Sequence, residues 1–251
     1  MNKIELCGVR FTPITIDSLH KYIEETIQKN EHNLILNVNV HAINLAQDDN
    51  LFRSILNDAP LVFCDGFGVR LGAWILNHHV PPRITYADWM EKLAEFAEVQ
   101  GFSIFFLGAR PTVAEKAAET LIKQFPKLKI AGYHDGYFDK KIDSEENLRI
   151  IQMINDSQSN ILLVSFGMPA QEKWLAANWG KLKVHIGLAG GAALDYVAGE
   201  TKRGPKWMTN YGLEWLARLL IEPKRLWRRY IIGNPLFVLR VLKQRIQMLG
   251  D

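Results

Sequence analysis

Short apolar runs alternate with amphipathic stretches along the first two hundred residues. Residues 34–40 (LILNVNV), 61–64, 103–107 (SIFFL), 128–132, 160–166 (NILLVSF) and 184–188 are such runs. Their near-continuous apolar character is that of strands buried on both faces. Helices are expected between them: from His41, over 66–76, over 86–100, after Pro111, from Asp143 or Ser144 to about 154, and from Pro169. Trp89, Met90, Leu93, Phe96 and Ala97 recur at helical spacing, and Pro111 suits a first helical turn. Asn57-Asp58-Ala59-Pro60 reads as a turn.

Apolar strands that each lead into a helix predict an α/β fold, a Rossmann-like and mostly parallel sheet covered by helices. Crossovers should be right-handed, and ligands should bind beyond the carboxyl ends of the strands. The positions to inspect are therefore Asn37 and Asn39, Asp65 and Gly66, Gly108 and Ala109, 167–171, and 187–195.

The last fifty residues read differently. Pro205, Pro223 and Pro235 are expected to cut them into segments: 211–221, 224–232 with Arg225, Arg228 and Arg229 among aromatics, and a basic amphipathic helix over 236–249. This divides the chain into a Rossmann-like unit, 1–200, and a helical appendage, 201–251.

Charge sharpens that division. The chain has 251 residues, 48% hydrophobic and 23% charged, which excludes disordered and low-complexity classes. The net charge of +3 conceals −5 over 1–201 and +8 over 202–251. An acidic body with a basic tail suggests an anionic partner: nucleic acid, lipid headgroups or phosphates. Two cysteines, Cys7 and Cys64, do not make a disulfide framework. The mixed N-terminus is not expected to be a signal peptide, and no apolar run reaches the ~18 residues of a spanning helix. Membrane contact is expected to be peripheral.

Candidate chemistry sits at the strand ends. Asp65, followed by Gly66-Phe67-Gly68, could act as a general base or merely cap the next helix. Gly167 to Gln171 form a strand-to-helix turn whose free N–H groups suit phosphate oxygens, with Gln171 one turn in; a plain Gly-Pro helix entry is the other reading. Gly190, Gly191 and Asp195 form a second such turn, suited to a nucleotide or simply to close helix–sheet packing. No G-x-G-x-x-G fingerprint is present, which counts against an oxidoreductase. No metal-ligand motif stands out, so a departing diphosphate would be met by arginine and backbone N–H groups. Arg83 is one candidate for that role or an ordinary surface arginine, and His41 and His185 read as structural. Arg218, Arg225 and Arg228 would share one face if the helix continued through Pro223; they make a phosphate clamp or a solvated basic face. Trp215, Trp227 and Tyr230 beside them favour a membrane interface. Without a helix-turn-helix, RRM or KH pattern, nucleic acid is not expected as a partner.

Taken together these positions closely resemble the WecG/TagA/CpsF family of bacterial glycosyltransferases. The resemblance rests on Asn37-x-Asn39-x-His41, Asp65-Gly66, Arg83, Gly108-Ala109 and Asp135-Gly136-Tyr137-Phe138. It continues through Gly167-x-Pro169-x-Gln171-Glu172-x-Trp174, Gly190-Gly191-x-x-x-Asp195-x-x-Ala198-Gly199, Arg203-x-Pro205, Gly212-Leu213-Glu214-Trp215-x-x-Arg218-Leu219 and Glu222-Pro223-x-Arg225-x-x-Arg228-Arg229-Tyr230.

The resemblance implies an inverting, metal-independent, cofactor-free transferase. It would move a sugar from a UDP-sugar to a polyprenyl-diphosphate-linked sugar in cell-surface polysaccharide synthesis (wall teichoic acid, capsule or exopolysaccharide). N-acetylmannosamine is the favoured donor type, with glucose or a uronic acid as alternatives; a non-catalytic lipid or nucleic-acid binder is a more distant reading. By resemblance Asp65 is the catalytic base, Asn39 and Arg83 are active-site residues, and Asn37, Gly108, Gln171, Gly190, Gly191 and Asp195 bind substrate. Arg218, Arg225 and Arg228 would contact lipid and diphosphate at the inner face of the cell membrane. An apolar face on the body beneath the tail could support a homo-oligomer. Three departures from the family pattern stand out: Cys64 for alanine, Asn37 for threonine, and Thr85-Tyr86-Ala87-Asp88 for Thr-Gly-x-Asp. Tyr86 is the bulky one, near the expected sugar pocket.

Overall fold

The computed structural model describes residues 2–250, apart from the side chains of Lys206 and Asn210. Met1 and Asp251, the outer ends of the two expected segments, lie outside the described residues. The chain opens with an antiparallel hairpin, β1 (Ile4–Leu6) and β2 (Val9–Phe11), turned at Cys7-Gly8. Alternation of Ile4, Leu6, Val9 and Phe11 against Glu5 and Arg10 is the sequence signal for it. A helix α1 (Ile16–Gln28), capped by Thr15, follows.

The body then alternates strand and helix. In order come β3 (Asn33–Val38), α2 (Val40–Asp48), α3 (Asn50–Asp58), β4 (Leu61–Cys64), α4 (Phe67–Ile75), α5 (Tyr86–Gln100) and β5 (Ser103–Gly108). They are followed by α6 (Val113–Gln124), β6 (Lys129–His134), α7 (Glu145–Asp156), β7 (Ile161–Ser165), α8 (Ala170–Asn178), β8 (Ile186–Ala189) and α9 (Ala193–Val197). The single helix expected from His41 is two, because Asp49 leaves helical geometry and its carboxylate caps α3 at Phe52 N–H. Asn57 and Asp58 therefore end a helix before the turn. Pro111 stands outside α6, whose N-cap is Thr112.

Among the described residues the main sheet has six strands in the order β4-β3-β8-β7-β5-β6, every neighbouring pair parallel. Strands β4, β7 and β8 are buried along their whole length, as their apolar runs require. One face is covered by the hairpin, α2, α3, α4, α7 and α8, the other by α1, α5, α6 and α9. Strand β8 leads into α9 on the second face, while its neighbours β3 and β7 lead into α2 and α8 on the first. Connections that diverge to opposite faces leave a crevice at the carboxyl ends of those strands. The candidate positions converge there.

The tail is α10 (Lys206–Asn210), α11 (Glu214–Ile221), α12 (Pro223–Trp227), a wide turn over 228–232, and α13 (Gly233–Gly250). Proline acts unequally in it. Pro223 starts α12 after a break at Glu222, whereas Pro235 lies inside α13 and does not cut the chain as expected. Pro235 occupies the first turn of α13, where a missing N–H is tolerated. Phe237 and Val241 of α13 are buried in the same core as α2 and α4. Burying two large side chains is worth about 3–6 kcal/mol, so the tail is anchored on the body. This packing covers part of the body's apolar surface with the chain's own helix.

Candidate active site

Asp65 leaves β4 with its backbone N–H donating to the Val38 carbonyl (2.8 Å), which sets it beside the end of β3. Gly66 then takes φ 98°, a turn only glycine makes without strain, and the chain enters α4. Asn37 Nδ2 donates to Asp65 Oδ2 at 3.0 Å. Asn39 caps α2, its Oδ1 accepting from Ala42 N–H at 3.0 Å. Burial pushes the Asp65 carboxyl up to about 6; the negative charge of Glu214 adds to the rise, and Arg229, Arg83 and the Asn39 amide oppose it. Such a carboxylate is a stronger base than an ordinary aspartate and is still mainly ionised at neutral pH.

Arg83 is drawn toward the tail. Its Nη2 donates to the Thr209 carbonyl at 3.0 Å and lies 3.2 Å from Glu214 Oε2, with both side chains largely buried. Glu214 thus links the tail to the body while sending its field onto Asp65. Arg203 fixes the same region through a two-pronged contact with Asp88, at 2.6 and 2.8 Å.

The two strand-to-helix turns expected to bind phosphate are stapled together. Gln171 is fully buried, and its Oε1 accepts from Gly167 N–H (3.1 Å) and Gly191 N–H (2.9 Å). Its Nε2 donates to Glu172 Oε1 at 2.9 Å. The Gln171 oxygen stands where an anion oxygen would stand, so these two N–H groups are not free. Gln171 therefore positions the turns, its amide oxygen and nitrogen both engaged within the protein. Burial pushes Glu172 up to about 7, the contact with Gln171 opposing it.

The crevice is a cleft of about 1020 Å³, lined by Asn37, Asn39, Asp65, Gln171, Gly190, Gly191 and Asp195 from the body and by Arg218, Arg225, Arg228 and Arg229 from the tail. That volume is at the upper end of small-molecule sites. Burial raises the Asp195 carboxyl, with Arg110 and Arg225 opposing. Nε of Arg218 and of Arg229 is buried without a hydrogen-bond partner, as are Asn37 Oδ1, Tyr86 Oη and Ser165 Oγ. Unpaired buried polar atoms around one cleft are what a polar ligand would satisfy. A second cavity of about 380 Å³ lies between α4 and the tail, and Asp65, Asn39, His41, Arg218 and Arg229 belong to both.

The expected site residues mostly converge, with two qualifications. Arg83 lines the second cavity and not the cleft. Gly108 lines neither; a Cβ there would come 2.5 Å from the Ser165 carbonyl oxygen, so the glycine serves close packing of β5 on β7, and Ala109 and Arg110 face the cleft instead. Sequence reasoning missed four residues. His41, read as structural, lines both cavities, and burial and then Arg229 push its imidazole down to about 4. Arg229 and Glu214 stand within the quoted motifs with no role of their own, and Arg110 only follows Gly108-Ala109. Cys7 and Cys64 are both free thiols. Among the described residues no group of three or more His, Cys, Asp or Glu is placed to hold a metal ion.

Over residues 4–250 the chain matches the model of the glycosyl transferase WecG/TagA/CpsF family. It belongs to that family and is a glycosyltransferase. It is 31% identical over 233 residues to N-acetylglucosaminyldiphosphoundecaprenol N-acetyl-beta-D-mannosaminyltransferase of Bacillus subtilis strain 168, covering 91% of this chain and 85% of that protein. To the enzyme of the same name from Staphylococcus aureus strain MRSA252 it is 26% identical over 245 residues, covering 97% of this chain and 93% of that one.

Proposed function

We propose that the protein transfers a sugar, of the N-acetylmannosamine type, from a UDP-sugar to a polyprenyl-diphosphate-linked sugar, with inversion and without a metal ion. The observation that carries this reading is the place of Asp65 between two cavities of different character. On one side is the large, arginine-lined cleft at the strand ends, on the other the smaller cavity under the tail. The UDP-sugar occupies the cleft and the acceptor hydroxyl comes from the second cavity.

Asp65 accepts the hydroxyl proton as that oxygen attacks the anomeric carbon from the side opposite the departing UDP. Asn37 holds the carboxylate by its 3.0 Å hydrogen bond. Leaving-group charge is met by Arg218 and Arg229, whose buried Nε groups are unpaired, with Arg225 and Arg228 at the cleft rim. Cations in this number supply the charge that a divalent metal supplies elsewhere.

Residues 201–251 act as the appendage that meets the membrane and the lipid diphosphate at its inner face. Among the described residues no helix is long and apolar enough to cross a bilayer. Leu239, Leu242, Ile246 and Leu249 are exposed along one side of α13, with Lys243 and Arg245 between them. An amphipathic surface of that kind lies in the interface rather than across it.

The test is a panel of UDP-sugars offered with N-acetylglucosamine diphosphoundecaprenol. Transfer from UDP-N-acetylmannosamine with an inverted linkage is the expected result. Transfer only from UDP-glucose or a UDP-uronic acid would replace the donor assignment, and no transfer from any UDP-sugar would end the reading.

A further inference from the structure

We propose that the exposed face of α4 is the track along which the hydrocarbon chain of the lipid-linked acceptor leaves the second cavity. The proposal rests on the reading that the acceptor is a polyprenyl-linked sugar and assigns where its lipid runs.

Helix α4 begins two residues after the base. Its inward side is Val69, Gly72 and Ala73, all buried. Its outward side carries Phe67, Leu71 and Trp74 at 45%, 37% and 72% exposure. They are spaced by four and three residues and so form one continuous stripe. Three large apolar residues in line on a nine-residue helix are not scattered surface apolar positions.

The stripe is continuous with the cavity beside Asp65. Phe67 and Leu71 line that cavity together with Leu213, Trp215, Phe237 and Val238. Phe67 also fixes the junction with the tail. A Cβ at Gly212 would come 2.7 Å from its ring, so the Phe67 ring packs closely against the tail backbone there. Tyr211, the next residue back, is 77% exposed and extends the apolar rim.

Polarity changes along this path in the order of the acceptor's own parts. At the inner end stand Asp65, Arg83, Arg218 and Arg229, suited to a sugar hydroxyl and a diphosphate. The middle is apolar, and Leu71 leads out to Trp74, an amphipathic ring of the type favoured where hydrocarbon meets water. A polar head, an anionic linker and a hydrocarbon chain fit that sequence in that direction. A second copy of this chain has no such head for the inner end.

The experiment compares two acceptors on the full-length protein: N-acetylglucosamine diphosphoundecaprenol in vesicles, and the same sugar diphosphate on a short water-soluble alkyl chain. The variant Trp74→Ser changes an exposed position that lines neither cavity. It should raise KM for the long-chain acceptor about tenfold or more, the scale expected when apolar contact of this size is lost, and leave kcat and the short-chain KM within about twofold. Equal effects on both acceptors, or none, would overturn the proposal, as would a change in oligomer mass by light scattering that accounts for the loss. If the wild-type protein moves no sugar to either acceptor, the functional reading fails instead.

Discussion

Asn37 Nδ2 donates to Asp65 Oδ2 across 3.0 Å, tying the end of the second strand of the sheet to the residue that follows its edge strand. The bond joins a buried, otherwise unsatisfied amide to a carboxyl raised to about 6. Asp65→Asn keeps the shape and removes the proposed base. Turnover should fall about 10²–10⁴-fold while UDP affinity measured by calorimetry stays within a few-fold. Undiminished turnover would remove Asp65 from its role.

The acidic limb of the pH–rate profile should report the same group. Asp65 must be ionised to accept a proton, so kcat/KM should rise with pH up to about 6 and then level off. Glu214 raises that value by its negative charge. Glu214→Gln removes the charge, so the limb should move toward lower pH, while burial, the larger cause, remains. A limb that stays in place would mean that Glu214 only anchors Arg83.

Glu172 makes stability pH-dependent. Its folded value is raised to about 7 from 4.5, so the fold favours the protonated form. The contribution is present below 4.5 and lost as pH rises through about 7. Glu172→Gln keeps an acceptor for Gln171 Nε2 but carries no charge. Its melting temperature should match the wild type at pH 4 and exceed it at pH 8; a constant difference at both would contradict the raised value.

Charge reversal at the rim separates binding from folding. Arg225→Glu with Arg228→Glu changes residues exposed at the cleft edge, away from Phe237 and Val241. Removing residues from Thr201 onward would strip the core that those two side chains complete, so the point variants are the cleaner probe. They should reduce activity on vesicle-borne acceptor by about tenfold or more, and raised salt should weaken the wild type in the same direction. Salt-insensitive, unaltered activity would take these arginines out of the anionic contact.

Chelation tests the metal assignment. Arginines take the place of a cation in the proposed mechanism, so EDTA should leave the rate within about twofold. Strict dependence on added Mg²⁺ would contradict the mechanism.

The alternation of apolar runs and helices was enough to read the parallel sheet, because a strand buried on both faces must be apolar along its length and its return helix must be amphipathic. Asp65, the two glycine turns and the basic tail were legible for a related reason: strand ends are ligand edges in any such sheet, and charge is a property of composition. The hairpin at the N-terminus went unread because three-residue strands leave little periodicity. What the sequence could not express is how distant segments meet. Gln171, Gly167 and Gly191 form one staple only because two turns lie side by side, and Gly108 turns out to serve packing. The tail's proline at 235 does not break its helix, and that lets Phe237 and Val241 lock onto the body. His41, Glu214 and Arg229 enter the site through that docking. A carboxylate's working pKa depends on charges brought from across the chain, and their distances are set by tertiary packing rather than by position in the sequence.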